Sequence, residues 1–213
     1  MSVSREARGC RGHRLVSRTV AGLVLPIETE RLRLRLHRPD DLDALLGYYS
    51  DPKVARYTPF KEWTRADAEE YLEKRLRRTG IDQPGSALGL VIERNGRVIG
   101  DVILWPADDT LLRGEMGWAL HPAATGRGYA TEAVRALIAI AFGTYGMRRL
   151  IAQLDPRNTS SARLCERVGM RREAHLRQDY WSKGEWADTF IFGLLASEWP
   201  DAASAAEGRR AAP

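Results

Sequence analysis

The stretch 115–136, EMGWALHPAATGRGYATEAVRA, constrains this chain more than any other. It opens with an apolar, strand-like run, Met116-Gly117-Trp118-Ala119-Leu120. His121-Pro122 ends that run, because proline has no N–H to give to a sheet ladder. A short loop carries Gly126-Arg127-Gly128, and a helix is predicted to begin near Tyr129. Val134, Leu137, Ile138, Ala141 and Phe142 recur at three- and four-residue steps, one face of an amphipathic helix. The first turn of a helix leaves backbone N–H groups unpaired, and these together with the helix dipole attract an anion. Glycine lets the backbone approach a ligand closely. Arg127 supplies a cation and Thr131 a hydroxyl. The spacing alone fits either a phosphate site or a plain loop. No Lys-Ser/Thr follows, and no third glycine stands at dinucleotide spacing, so neither nucleotide-binding motif is present.

The run Gly126-Arg127-Gly128-Tyr129-Ala130-Thr131-Glu132-Ala133 resembles the acyl-CoA loop of the GNAT (Gcn5-related) N-acetyltransferases. It is most similar to the ribosomal-protein N-terminal (RimJ/RimL-like) branch. The resemblance spans about residues 27–199. It includes Glu115-Met116-Gly117-Trp118, Asn158-x-x-Ser161 with Val168-Gly169-Met170, and Trp186-x-Asp188. Where the family loop carries Arg, Gln or Trp, this chain has Thr125. The change is expected to be tolerated, because backbone amides do most of the phosphate binding.

The resemblance implies a single-domain α/β GNAT fold: a mixed, mostly antiparallel, splayed sheet of about seven strands with about four helices. It implies acetyl-CoA as cosubstrate and an amine as acceptor. Gly126, Arg127, Gly128, Tyr129, Ala130 and Thr131 would surround the CoA diphosphate, with Asn158 near the pantetheine arm. Backbone groups of Trp118, Ala119 and Leu120 would pair with that arm along a bulged, splayed strand. Many relatives carry Glu and Tyr where this chain has Gln153 and Cys165, so the usual acid–base pair is missing. The serine matched by Ser161 is the branch's proposed proton donor to the thiolate. Tyr180 stands where the branch places a proposed acidic group. Glu115 is the candidate base, directly or through a water, and the alternative is a structural ion pair with an arginine. Cys165 lacks a histidine in its motif, so a buried apolar role fits it better than a covalent one.

The rest of the chain is consistent with one domain over 23–200 between tails at 1–22 and 201–213. The formal charge of +5 is misleading, because residues 1–22 hold five arginines and one acid and leave +1 for the remainder. That gives no basic stripe on the folded part, and no nucleic-acid partner is expected. Cys10 and Cys165 do not make a disulfide framework. His13, His37, His121 and His175 show no metal spacing and read as surface or satisfied histidines. No apolar run reaches membrane-spanning length, so a cytoplasmic location is expected and no membrane partner. Oligomeric state is unreadable.

Strict alternation over 31–36 predicts a strand, its arginines solvated on the outer face. A helix follows from Pro39 to about Tyr49, and another from 65 to about 78 behind a Thr64 N-cap. Tyr48, Tyr49, Tyr57, Phe60 and Trp63 lie where the family shapes its acceptor pocket, about half of them as core. Strands at 88–93 and 98–105 flank the hairpin signal Asn95-Gly96. Further strands are expected at 111–120, 150–154, 174–180 and 186–195, and a helix capped by Asn158. Three classes of function stay open: acetylation of a protein or peptide α-amine, acetylation of a small amine, and a non-catalytic acyl-CoA-binding module.

Overall fold

The computed structural model describes residues 18–20 and 22–200 of the 213. In chain order the elements are β1 (Arg18–Val20), β2 (Leu23–Leu25), β3 (Ile27–Glu28), β4 (Arg33–Leu36), α1 (Leu42–Tyr49), α2 (Pro52–Ala55), α3 (Arg65–Leu76), β5 (Thr79–Gly80), β6 (Ala87–Arg94), β7 (Arg97–Pro106), β8 (Arg113–Leu120), α4 (Tyr129–Ala139), β9 (Arg149–Leu154), α5 (Thr159–Arg167), β10 (Arg171–Ser182) and β11 (Glu185–Leu195). Nine strands form one sheet in the order β10-β11-β9-β8-β7-β6-β4-β3, with β5 added on β6. All its pairings are antiparallel except β8 with β9. The seven expected strands and four expected helices are all present. The additions to them, β3, β5 and α2, are two to four residues long and too short to leave a period in the sequence.

The expected tails lie largely outside the described residues. Three residues of the first expected tail, 18–20, are among those described. Arg18–Val20 pairs with Leu23–Leu25, from Arg18↔Leu25 to Val20↔Leu23. Leu23 and Leu25 bury against the core and hold their strand in place for it.

Helices cover both faces of the sheet. On one face α1 and α3 bring Leu45, Tyr48, Tyr49, Ala68 and Leu72, with Trp63 from the loop before α3, against Ala119 of β8. On the other, Val134, Leu137 and Ile138 of α4 and Leu164, Cys165 and Val168 of α5 pack on Leu90, Val102, Met116 and Leu150. Local chemistry sets the helix ends. Thr64 caps α3 by accepting from the Asp67 N–H (3.3 Å), and Asp67 returns the bond to the Thr64 N–H (2.8 Å). A π-helical turn, Ile140–Thr144, extends α4.

The alternation over 31–36 forms β4, but its outer arginines are not simply solvated. Arg35 is buried, donating to both oxygens of Asp41 (2.8 and 2.7 Å) and to Glu93 (2.7 Å). A carboxylate from the following turn and another from β6 replace its water.

The parallel seam decides where a ligand can enter. β8 pairs with β9 only from Arg113↔Arg149 to Glu115↔Ile151, after which the strands part. β8 stays in unbroken register with β7, from Pro106↔Gly114 to Gly100↔Leu120. The splay is therefore present, but the bulge expected within β8 is not. The register shift falls between β6 and β7, where Ile92↔Gly100 gives way to Glu93↔Val98. At Gly117 the Ile103 side chain comes close over the strand: a Cβ there would lie 3.2 Å from Ile103 Cγ2.

Candidate active site

A cleft of about 1250 Å³ runs through the splay and opens on both faces of the sheet. It is lined by Trp118, Ala119, Leu120, Gly126, Gly128, Tyr129, Ala130, Thr131, Asn158 and Ser161, nearly the whole expected cofactor set. Gly128 is the N-cap of α4 at φ +80°, and Gly126 also has positive φ (+74°). Such backbone is natural only for glycine. It turns the chain so that the first amides of α4 point outward, without intrahelical acceptors.

Two expected ligands sit differently from the simple picture. Arg127 is exposed and is not among the lining residues; its carbonyl accepts from Arg31 Nη1 (3.2 Å). The Tyr129 side chain is buried between the Arg31 and Arg94 guanidinium groups, each 4.9 Å from the ring centre, so its backbone is what it can offer a ligand. Glu132, an acid in the same first turn, is neutralised by Arg31 Nε (2.7 Å), the Arg31 N–H (2.8 Å) and Thr29 Oγ1 (2.6 Å). These partners hold its carboxyl below the usual range. The cation that sequence reasoning missed here is Arg167, at the end of α5. It lines the cleft, and its Nε reaches Thr131 Oγ1 at 3.4 Å.

Asn158 caps α5 by accepting from the Ser161 N–H (3.1 Å), which fixes Ser161 at the mouth of the splay. Ser161 Oγ accepts from the Trp118 indole N–H (3.3 Å). A hydroxyl that accepts from an indole keeps its own proton to donate.

Glu115 is half-buried and its partner is Gln153, not an arginine; Gln153 Nε2 donates to Glu115 Oε2 at 3.2 Å. Burial pushes the Glu115 carboxyl up, and the Gln153 amide opposes the shift. Gln153 lines the cleft and Glu115 does not. Tyr180 is not brought to the site. It lies on β10, 44% exposed, and is not a lining residue. A register shift falls between Leu176 and Tyr180 opposite β11, with Gln178 in left-handed backbone (φ +49°). Cys165 is buried among apolar neighbours, and burial pushes its thiol up to about 12, the opposite of an activated nucleophile.

The α1/α3 side of the cleft was hardly foreseen. Asp101 is buried at its floor. It accepts from Tyr49 Oη (2.7 Å) and from Arg75 Nε (3.0 Å), and Arg75 Nη2 also donates to Tyr49 Oη (3.0 Å). The Arg75 guanidinium lies 5.0 Å from the Tyr49 ring centre and 4.9 Å from that of Trp63. Burial would raise the Asp101 carboxyl, but Arg75, with His37 and Tyr49, takes it down to about 2. His37 is buried rather than exposed. Its Nε2 is 3.6 Å from Asp101 Oδ2, and neither ring nitrogen has a hydrogen-bond partner among the described residues. Of the five aromatic residues marked in the sequence, Tyr48, Tyr49 and Trp63 are core, while Tyr57 and Phe60 are half-buried in the cleft wall. A signal existed for Asp101, a lone charge inside the apolar run Val98–Ile103. Among the described residues no group of three His, Cys, Asp or Glu is placed to hold a metal, and no helix is long and apolar enough to cross a membrane.

The comparisons with known proteins agree with this geometry. Residues 31–171 match the family described as acetyltransferase (GNAT) domain. The chain is 29% identical over 171 residues to an uncharacterized N-acetyltransferase, p20, of Bacillus licheniformis, covering 80% of this chain and 96% of that protein. A solved GNAT-family acetyltransferase from Bacillus anthracis superposes with a TM-score of 0.72 at 28% identity, covering 80% and 98%. Mycobacterium smegmatis RimJ in complex with CoA-disulfide shares the fold (TM-score 0.69, 22% identity, 84% and 89% covered). So does spermidine N-acetyltransferase from Vibrio cholerae in complex with CoA and spermine (TM-score 0.68, 19% identity, 80% and 98% covered). With its strand-splayed cleft and the glycine loop opening α4, this chain belongs to the GNAT acetyltransferases and is an N-acetyltransferase.

Proposed function

We propose that the protein transfers an acetyl group from acetyl-CoA to an α-amine at the N-terminus of a protein or peptide, by direct attack within a ternary complex and in the cytoplasm. The diphosphate is held by the backbone of Gly126–Thr131 and by Arg167. The pantetheine arm lies between the parted strands, against Asn158 and the backbone of Trp118, Ala119 and Leu120. The acceptor enters from the α1/α3 side. The amine attacks the thioester carbonyl; backbone N–H groups near Leu120 steady the oxyanion. As the C–S bond breaks, Ser161 gives its proton to the thiolate, and the amine's surplus proton leaves through water toward Glu115.

One observation carries the choice of amine: neither carboxylate near the acceptor floor is free to act as a direct base. Asp101 is committed to Arg75 and Tyr49, and Glu115 stands behind the Gln153 amide. An α-amine has a pKa near 8 and a lysine amine near 10.4, so at pH 7 roughly 10% of the first is neutral and about 0.04% of the second. A lysine acceptor therefore asks about 200 times more of the base, roughly 3 kcal/mol. A site with only a water-mediated base suits the amine that is already partly neutral. The test uses two peptides, one with a free N-terminus and no lysine, the other N-capped with one lysine. Mass spectrometry is expected to locate acetyl on the free N-terminus, and faster modification of the capped lysine peptide would sink the reading. A small amine of low pKa, run beside them, decides between peptide and small-molecule acceptors.

A further inference from the structure

On the α1/α3 face of the sheet, β6, β7 and β8 set Gly89, Ile103 and Gly117 side by side in register. All three line the cleft, which crosses this face of the sheet as a trough. Its Gly117 end opens on the splay, where the acyl carbonyl would lie. Its Gly89 end is walled by two residues that the chemistry above does not use. An added Cβ at Gly89 would meet Arg78 Cβ at 3.3 Å and His37 Cε1 and Nδ1 at 3.6 Å. Both Arg78 and His37 line the cleft.

Arg78 has no ion-pair partner among the described residues, and His37 has only the 3.6 Å approach of its Nε2 to Asp101 Oδ2. No carboxylate lies within ion-pairing distance of the Arg78 guanidinium among the described residues, and the group is half-buried. Burial, with the Arg75 charge beside it, pushes its pKa down. The His37 side chain is 1% exposed, and both ring nitrogens are unbonded among the described residues. Desolvated polar groups without partners are costly and mark places where a ligand completes the bonding. The one carboxylate lining the cleft among the described residues, Asp101, is already bound by Arg75 and Tyr49. The charged residues lining the cleft are Lys53, Arg75, Arg78, Arg167 and Asp101, four cations to one acid. A cationic acceptor would meet repulsion there; an anionic group would meet a guanidinium and an imidazole N–H.

Distance narrows the class. Two strand spacings separate Gly117 from Gly89, roughly 10 Å. An extended peptide advances about 3.3–3.6 Å per residue. With the α-amine at the splay, the second or third side chain reaches the Arg78 end of the trough. We infer that the preferred acceptor is an N-terminus followed by an acidic residue at its second or third position, its carboxylate taken by Arg78 and His37. This rests on the α-amine reading above and adds to it a sequence specificity.

The experiment uses the full-length protein, acetyl-CoA and peptides that share an N-terminal serine and differ only at the second and third residues, as Glu, Gln or Lys. The expected result is a kcat/KM at least about tenfold higher for Glu than for Gln at one of the two positions, and lower still for Lys. Arg78→Gln should shrink the Glu-over-Gln ratio to within about twofold, and Arg78→Lys should restore part of it. N-terminal acetylation at equal rates across the series overturns the inference and leaves the α-amine reading standing. No N-terminal acetylation of any peptide overturns both. A Glu preference undiminished in Arg78→Gln removes the guanidinium from the argument; should that variant not fold, the wild-type peptide series decides alone.

Discussion

Replacing Asp101 by Asn tests the buried network under the acceptor face directly, and its size can be worked from the structure. The change keeps shape and removes one charge. It leaves the Arg75 guanidinium, 9% exposed, facing an amide, with Tyr49 Oη and two aromatic faces as its other neighbours. Removing one partner of a buried ion pair typically costs about 3–5 kcal/mol; the cation–π contacts are the same in both proteins, and the lower end applies because an amide oxygen can still accept from Arg75. The expected loss is therefore roughly 3 kcal/mol at pH 7. The pH dependence supplies a second check. The Asp101 carboxyl titrates at about 2 when folded, against about 3.9 unfolded. A folded pKa below the unfolded one contributes stability that is full above about pH 4 and is lost as pH falls through about 2. The linkage amounts to roughly 2–3 kcal/mol at neutral pH and about half of that at pH 3. Urea unfolding of wild type and Asp101→Asn at pH 7 and pH 3, followed by circular dichroism, reads both quantities. The gap between the two proteins should narrow by about 1 kcal/mol at the lower pH. A gap under about 1 kcal/mol at pH 7, or one that does not change with pH, would refute the assignment of Asp101 as the ionised anchor of Arg75.

Three further outcomes follow from the CoA side of the cleft and from its base. Gly128→Asp sets a negative side chain at the N-terminus of α4 and should raise the acetyl-CoA Kd at least about tenfold, or roughly 1.4 kcal/mol, by calorimetry. Gly128→Ala carries the same left-handed backbone strain without the charge, so equal effects in both variants would assign the loss to strain. Ser161→Ala should lower kcat more than it weakens acetyl-CoA binding; an unchanged kcat with a higher KM would make Ser161 a binding residue. Glu115→Gln should flatten the acidic limb of the kcat/KM profile, a limb displaced above the ordinary glutamate range because burial raises this carboxyl; an unaltered limb would clear Glu115 of proton transfer.

The parts of this molecule that were legible in its sequence are those whose causes are local. The helix periodicity after Gly128, the Thr64 and Asn158 caps and the Asn95-Gly96 hairpin each depend on residues a few positions apart, and each is found where expected. The glycine loop belongs with them, as it needs only backbone and a helix start. Tyr180 lies outside the lining of the cleft, next to a shift in strand register that turns on pairing with β11, which residue type at 180 does not encode. Arg75 lies in α3 and Asp101 in β7, while His37 and Arg78 follow β4 and α3, and nothing along the chain announces that they meet. Arg35 was misread for the same reason: alternation gives the face of a strand, but not what the neighbouring turn and strand lay over it.

The short seam between β8 and β9 has a consequence for local stability. Three register pairs, ending at Glu115 and Ile151, join a β3–β8 plate to a β9–β11 plate. Beyond them the outer edge of Met116–Leu120 is an inward-facing margin with no strand against it among the described residues, although β7 holds its other side. Amides on such a margin exchange hydrogen through small separations of the plates rather than through global unfolding. A ligand whose own amides dock there acts as a stitch along the open part of the seam. Saturation at about 100 times Kd adds about 2.7 kcal/mol to stability. Its clearest signature in hydrogen exchange would be slowed amides on both lips of the gap, 116–120 and 152–154, with the β10–β11 hairpin unchanged.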